Sequence, residues 1–483
     1  MFDPENGRHY NSVQNLKGKM AKKQISDKKP GNRRKQAPAV AAVSLGCSKN
    51  LVDTEVMLGA LATAGYAIAS EPADADIIIV NTCGFISAAV DESKSVISEM
   101  AALKSSGEAG LLVVAGCLAE RERSALFDEF PEIDLIVGTS SYPEIVELLE
   151  TECSESFSPQ NFLHDHRHPR LLATPPWTAY LKIAEGCSNR CSYCAIPSLR
   201  GAYRSRTPDS LLQEAASLAA IGVRELILVA QDTTRYGTDL KIRNALPALL
   251  NRLSDIDGIH WIRLMYAYPE RVNKQLAEAI AGIPKVCSYL DIPIQHIDDK
   301  ILTAMNRRGG SDAVRRAVAL LKENVPGICL RTTVLVGFPG ETDSQFNRLL
   351  RFMEETEFDR LGAFAYSPEP GTPASVLPRQ ISESVKNERV KAIMELQSEI
   401  SLKKNRELVG RELEIIVECE KISIAREVGI SKRKKTYGAG RSYRDAPEID
   451  GLIYFTGVAA AGDFARVIIQ DAEEYDLYGK IIK

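Results

Sequence analysis

Ala179–Tyr180–Leu181–Lys182–Ile183–Ala184–Glu185–Gly186–Cys187–Ser188–Asn189–Arg190–Cys191–Ser192–Tyr193–Cys194 is the stretch on which the reading of the chain turns. Its first six residues predict a strand, and three cysteines follow on one tight loop. Cysteine thiolates are soft ligands, suited to iron–sulfur clusters or to zinc. Structural zinc usually takes four protein ligands, often as two Cys-x2-Cys pairs. Here three cysteines are local and no fourth lies close by in sequence. A cubane held by three thiolates leaves one iron open to a small molecule.

Downstream of this loop, strand and helix alternate. Strands are expected at Glu225–Ala230, Trp261–Tyr266, Ser288–Ile294, Arg331–Val336 and Arg360–Tyr366. Helices are expected at Pro208–Ile221, Arg271–Ile280 and Thr342–Glu357, with Thr207 and Pro208 as a cap and first-turn pair. Six βα units suit an open barrel rather than a closed eight-stranded one, and chemistry on such barrels sits at the carboxyl ends of the strands. Gln231, Gln295, His296 and Arg331 lie at or near expected strand ends. Val334–Glu341 runs a strand into a turn containing Gly337 and Gly340. Such glycines allow close approach of backbone to a ligand, although an ordinary strand-to-helix turn reads the same way.

Upstream, Ala39–Leu45, Ile77–Asn81, Leu111–Ala115 and Ile133–Val137 are short apolar runs suited to parallel strands buried on both faces. Helical stretches near Leu51–Ala64, Ala88–Leu103 and Ala119–Phe127 separate them, a βαβ order that predicts a doubly wound sheet. Cys47, Cys83 and Cys117 each follow one of these strands immediately. Carboxyl ends of parallel strands line one crevice, so the three thiols are expected to converge as a second three-cysteine set rather than as buried core residues. Cys153, Cys287, Cys329 and Cys419 have no comparable placement and read as structural.

The expected fold is therefore α/β. It comprises a basic disordered tail (1–36), a doubly wound parallel-sheet domain (37–150), a linker (151–176), an open (β/α)6 barrel with a linking helix (177–400), and a small all-β barrel (401–483). The linking helix, over 383–408, carries Val390, Ile393, Leu396 and Ile400 at helical spacing. The last domain shows short strands at Leu413–Glu418, Ile449–Phe455 and Arg466–Gln470. His164, Asp165, His166 and His168 cluster in the linker, where no rigid element is expected to hold a metal. The tail reads as unfolded chain or as an arm that attracts RNA. Lys432–Lys435 reads as a solvated loop, or as a contact to phosphates.

Composition agrees with a soluble protein: 45% hydrophobic, 26% charged, formal net charge -4 over 483 residues. No apolar run approaches the roughly 18 residues of a membrane span, and no secretory signal is read at the N-terminus. Ten cysteines in a chain read as cytoplasmic point to metal ligands rather than disulfides.

Cys-x3-Cys-x2-Cys with Tyr193 before the last cysteine resembles the signature of the radical S-adenosylmethionine (SAM) superfamily. Together with the Cys47, Cys83 and Cys117 set and the domain order, the chain over about 39–475 resembles the methylthiotransferase family. Leu45–Gly46–Cys47–Ser48–Lys49–Asn50–Leu51–Val52–Asp53, Tyr180–Cys187, Asp291–His296, and Arg441 through Asp445–Gly451 are similar to the branch that modifies ribosomal protein S12. The resemblance implies two 4Fe-4S clusters, two SAM molecules, and SAM contacts at Tyr193, Gln231, Gln295, Arg331, Gly337 and Glu341. It implies a C-terminal TRAM domain that contacts RNA. It implies addition of a methylthio group to the β-carbon of an aspartate in ribosomal protein S12, within the small subunit or free. An electron donor such as flavodoxin or ferredoxin and a sulfur source would be partners. Two other readings share the motifs: a tRNA adenosine methylthiotransferase, and a non-catalytic iron–sulfur RNA-binding protein.

Overall fold

Ile77–Thr82 and Leu111–Gly116 are apolar along almost their whole length and pair in parallel at the centre of a sheet. The computed structural model describes residues 37–428 and 431–482; the basic tail lies outside them. The first of two compact units runs to Ala173 and takes in Ser198–Gly201. Its sheet has the parallel order Ala67–Ile68, Ala39–Ser44, Ile77–Thr82, Leu111–Gly116, Leu135–Val137, Glu155–Ser156. Ile78, Val80, Leu112 and Val114 pack to one face with Ile97 and Met100, and Ile77, Ile79 and Val113 to the other with Val56 and Leu61. Strand order reverses between Ala39–Ser44 and Ile77–Thr82. Ligands bind at the carboxyl ends of strands at such a switch point.

Two expectations shift here. The helix read over Ala119–Phe127 is two short helices, Cys117–Glu122 and Ala125–Glu129, broken at Arg123, whose φ is 51°. The segment expected as a bare linker adds the edge strand Glu155–Ser156, and Arg170 pairs with the buried Glu55 at 2.5 Å. In that segment, His168 Nδ1 lies 3.1 Å from Asp165, and its ring meets Phe162 edge-on.

The second unit comprises Thr174–Pro197 and the chain from Ala202 on. Thr178–Lys182, Glu225–Val229, Trp261–Leu264, Val286–Asp291, Cys329–Val336 and Arg360–Ala365 form one parallel sheet in sequence order, left open between its first and last strands. The linking helix is Glu383–Arg406. Its buried stripe is largely polar, with Lys386, Arg389, Gln397 and Asn405 beside Ile393 and Ile400, while Val390 and Leu396 are half-buried. Gln397 donates to Phe358 O at 2.9 Å and Arg389 to Asp343 at 2.7 Å. Backbone and carboxylate partners, rather than an apolar stripe, seat this helix.

Glu412–Val428, Ser431–Ser442, Ile453–Thr456, Leu477–Ile482 and Phe464–Ala472 close a five-stranded barrel. The strand expected at Ile449–Phe455 starts only at Ile453. The side chains of Asp445 and Asp450 bend the chain before it, accepting from Ser442 Oγ at 2.7 Å and Ala446 N at 2.9 Å. Lys432–Lys435 is not loop: its backbone pairs with Ile424–Glu427 in a long hairpin. The segment 441–450 is fastened near the amino ends of the large sheet's strands. Arg441 pairs with Glu225 at 2.6 Å, Arg360 with Asp445 at 2.7 Å, and Tyr289 OH donates to Asp450 at 2.8 Å. No helix among the described residues is long and apolar enough to cross a membrane.

Candidate functional site

Two sites can be built from the cysteines, one in each unit. In the first, Cys47, Cys83 and Cys117 stand at the carboxyl ends of three adjacent strands. Cys47 caps the helix Ser48–Thr63, and Cys117 opens the helix Cys117–Glu122. Helix amino termini favour thiolates. Asn50 ties the strand ends together, its amide donating to Leu45 O at 2.8 Å and to Asn81 O and Thr82 O at 3.2 Å. Ser93 Oγ holds both the N–H and the carbonyl of Cys83 at 3.0 Å. Gly46, with φ of 87°, leaves no room for a side chain: a Cβ there would lie 2.9 Å from Cys83 Sγ.

The three thiols sense one another and two cations. Burial pushes Cys83 up to about 12, helped by Cys117 and Cys47. Burial also raises Cys117, against the pull of Arg200. For Cys47 burial is overcome by Lys49 and Arg200, and its pKa falls. Arg200 is 3% exposed and donates through Nε to Cys117 Sγ at 3.3 Å. Thiols held neutral by burial need a bound cation to ionise, and the set fits an iron–sulfur cluster with cationic neighbours to balance its charge. Among the described residues, no three His, Cys, Asp or Glu converge on a single ion. In a cubane each thiolate takes its own iron, so its ligands do not share one metal ion.

In the second unit, the first strand ends at Lys182, Ala184–Glu185 pairs antiparallel with Arg204–Ser205, and the loop Cys187–Cys194 follows through Gly186, with φ of 73°. Glu185 accepts from Gly186 N at 2.9 Å and pairs with the buried Lys182 at 2.8 Å. Asn189 donates to Asp232 at 2.8 Å, Ser192 Oγ to Ala304 O at 2.7 Å, and Asn306 to Arg190 O at 2.6 Å. Cys191 Sγ lies 3.1 Å from Tyr268 OH, and Arg307 stacks over that tyrosine's ring at 3.7 Å. Burial raises the pKa of both Cys187 and Cys194. A cavity of about 230 Å3 opens beside the loop, lined in part by Ser188, Asn189, Tyr268 and the guanidinium groups of Arg235, Arg271 and Arg308.

The other expected ligand contacts separate into two groups. Gln231 follows the second strand, and its buried Oε1 has no hydrogen-bond partner among the described residues. Tyr193 packs with Phe338, Tyr366 and Met305, and the hydroxyl of Tyr366 is also without a partner among the described residues. Gln295, with φ of 68°, extends the sheet beside Val334. These orphaned polar atoms at the strand ends fit a polar ligand such as SAM. Gly337, Glu341 and Arg331 are engaged elsewhere. A Cβ on Gly337 would lie 2.3 Å from Lys386 Cγ. The carboxylate of Glu341 takes Gly337 N–H, His296 at 3.3 Å and Arg389 at 3.1 Å. His296 Nδ1 accepts from Asp298 N, so its Nε2 carries the proton that faces Glu341. Arg331 is the third residue of its strand and pairs with Asp291 at 2.8 Å and Asp450 at 3.4 Å. The turn at 337–341 is thus braced by its own glutamate, and Arg331 belongs to the amino end of the sheet rather than its mouth. Cys287 and Cys329 are buried, Cys153 is exposed and Cys419 is half-buried. Arg200 and Tyr268 went unread in the sequence: neither stands in a spacing pattern, and only folding brings them to sulfur.

Residues 39–138 match an uncharacterized protein family, UPF0004; 181–353 match the radical SAM superfamily; 409–482 match the TRAM domain. The chain is 51% identical to the ribosomal protein uS12 methylthiotransferase RimO of Geobacter sulfurreducens, over 92% of this chain and 98% of that protein. It is 49% identical to the protein of the same name from Pelotomaculum thermopropionicum, over 92% and 99%. In fold it is similar to the radical SAM methyltransferase TsrM from Kitasatospora setae, solved with cobalamin and a [4Fe-4S] cluster. The TM-score is 0.54 at 17% identity, over 70% of this chain and 77% of that one.

Proposed function

Because the chain belongs to the ribosomal protein uS12 methylthiotransferase family, we propose that it attaches a methylthio group to the β-carbon of an aspartate in uS12. The observation that carries this reading is the pair of three-cysteine sites, one at the carboxyl ends of three parallel strands and one on a single loop after the first strand of the large sheet, in a chain 51% identical to a named uS12 methylthiotransferase. Cys187, Cys191 and Cys194 would hold one 4Fe-4S cluster, and Cys47, Cys83 and Cys117 the other. When bound, the first supplies the electron that splits SAM, and the second carries the sulfur that is methylated and transferred.

The chain's own residues do the rest. Gln231 Oε1 and Tyr366 OH offer polar contacts to SAM, and the apolar packing of Tyr193, Phe338 and Met305 shields the site from water. Arg235, Arg271 and Arg308 outnumber Glu270 in the lining of the cavity beside the loop, a balance that suits the carboxylate of the target aspartate. Tyr268 OH holds Cys191 Sγ in place. The reaction would run in the cytoplasm with an electron donor and a sulfur source, and the TRAM barrel would contact RNA of the small subunit.

Anaerobic turnover of the reconstituted protein with SAM, reductant and uS12, read by peptide mass spectrometry, tests the reading. A methylthio group in place of one hydrogen on a single aspartate is the expected product. 5′-Deoxyadenosine without modified uS12, but with modified tRNA, would replace the substrate assignment. Neither product from protein carrying both clusters would overturn the catalytic reading.

A further inference from the structure

Ser198–Gly201 follows the radical SAM cysteines in sequence, yet it packs with the first unit. Thr139 Oγ1 donates to Leu199 O at 2.7 Å, and Gln160 to Ser198 O at 2.7 Å. Directly after these anchors Arg200 turns inward. Its Nη1 donates to Asp53 at 2.9 Å, its Nη2 to Asn50 Oδ1 at 2.9 Å, and its Nε to Cys117 Sγ at 3.3 Å. Asn50 and Asp53 are three residues apart, so they share one face of the helix that Cys47 caps. All three side chains are nearly fully buried. A buried guanidinium with one carboxylate and one amide to fix its plane has a single orientation, and that orientation aims an N–H at a sulfur.

We propose that Arg200, locked by Asp53 and Asn50, is a positioning residue that hydrogen-bonds the Cys117 ligand and raises the reduction potential of the cluster on Cys47, Cys83 and Cys117. The inference rests on the cluster assignment above. Hydrogen bonds to cluster sulfurs stabilise the more negative, reduced state and are a principal control of potential. The neighbouring positive charge acts in the same sense. Arg200 lies six residues after Cys194, so one short peptide supplies a ligand of one cluster and the sulfur-directed donor of the other.

The test uses the full-length chain with Cys187, Cys191 and Cys194 all changed to Ala, which leaves one cluster to observe. Arg200→Gln and Asp53→Asn are each reconstituted in that background and titrated by electron paramagnetic resonance. Both should retain their iron, and Arg200→Gln, which removes both the hydrogen bond and the positive charge, should become harder to reduce. Arg200→Gln should shift the reduction equilibrium at least tenfold, about 59 mV for one electron. Arg200→Lys should recover part of the shift. An unchanged potential at full iron content would overturn the proposal. Pulsed measurements on the same one-cluster protein with Arg200 and Asp53 unchanged, grown with 15N-arginine, do not depend on either of those variants folding. A coupling between the reduced cluster and an arginine nitrogen is expected, and its absence in a loaded sample would overturn the proposal. Absence of any cluster would instead refute the assignment on which it rests.

Discussion

Glu225→Gln removes one negative charge from the joint between the large sheet and the C-terminal barrel while keeping the side chain's shape. Glu225 is 0% exposed and lies between Arg441 at 2.6 Å and Arg263 at 2.9 Å. Burial alone would raise its pKa, but the two guanidinium groups outweigh burial and hold it at about 2. An unfolded glutamate titrates at about 4.3. The gap of about two units corresponds to about 3 kcal/mol, in line with the ~3–5 kcal/mol lost when one partner of a buried pair is removed. Because the folded value is depressed, this stability is complete above about pH 4.5 and is lost as pH falls towards 2. The chain's two tryptophans report on the joint. Trp177 Nε1 donates to Glu418 at 3.1 Å, and the ring of Trp261 meets Phe464 at 4.8 Å. Tryptophan fluorescence of Glu225→Gln should show a transition lowered by roughly 5–10 °C at neutral pH and a shallower loss of stability on acidification. A transition coinciding with that of the unaltered protein would refute the reasoning.

Gly46→Ala forces a Cβ to within 2.7 Å of Cys83 Cβ at a positive φ; the expected outcome, read by iron content, is loss of the first cluster and retention of the second. Gly337→Ala pushes against Lys386 and should destabilise the second unit by about 1–3 kcal/mol, measured by urea unfolding. Arg331→Ala should lower stability by about 3 kcal/mol while leaving the KM for SAM unchanged, because its partners are Asp291 and Asp450; a raised KM at full stability would place it at the mouth after all. Tyr268→Phe removes the hydroxyl 3.1 Å from Cys191 Sγ and should shift the potential of the second cluster without changing its iron content.

The parallel strands were readable because hydrophobic runs such as Ile77–Val80 leave little alternative to burial on both faces. The cysteines were readable because each ends such a strand or sits in a tight spacing. What escaped depends on contacts distant in sequence. Arg331 looked like a mouth residue when only its strand was considered, but Asp450 lies 119 positions away and claims it. Gly337 looked like room for a ligand, whereas Lys386 fills the space. The buried face of Glu383–Arg406 is largely polar, so hydrophobic periodicity marked the helix and two of its buried residues, Ile393 and Ile400, but not the rest of the surface it uses. Of the four stretches similar to the ribosomal-protein branch, two contribute to the joint: Asp291 from Asp291–His296, and Arg441 and Asp450 from the last stretch.

The division of labour between the two cysteine sets is tested most directly with uS12 deuterated at the β-carbon of the target aspartate. Turnover with Cys83→Ala protein should move deuterium into 5′-deoxyadenosine and leave no methylthio group on uS12, and Cys191→Ala protein should do neither. Methylthiolation by Cys83→Ala protein, or deuterium transfer by Cys191→Ala protein, would contradict the account.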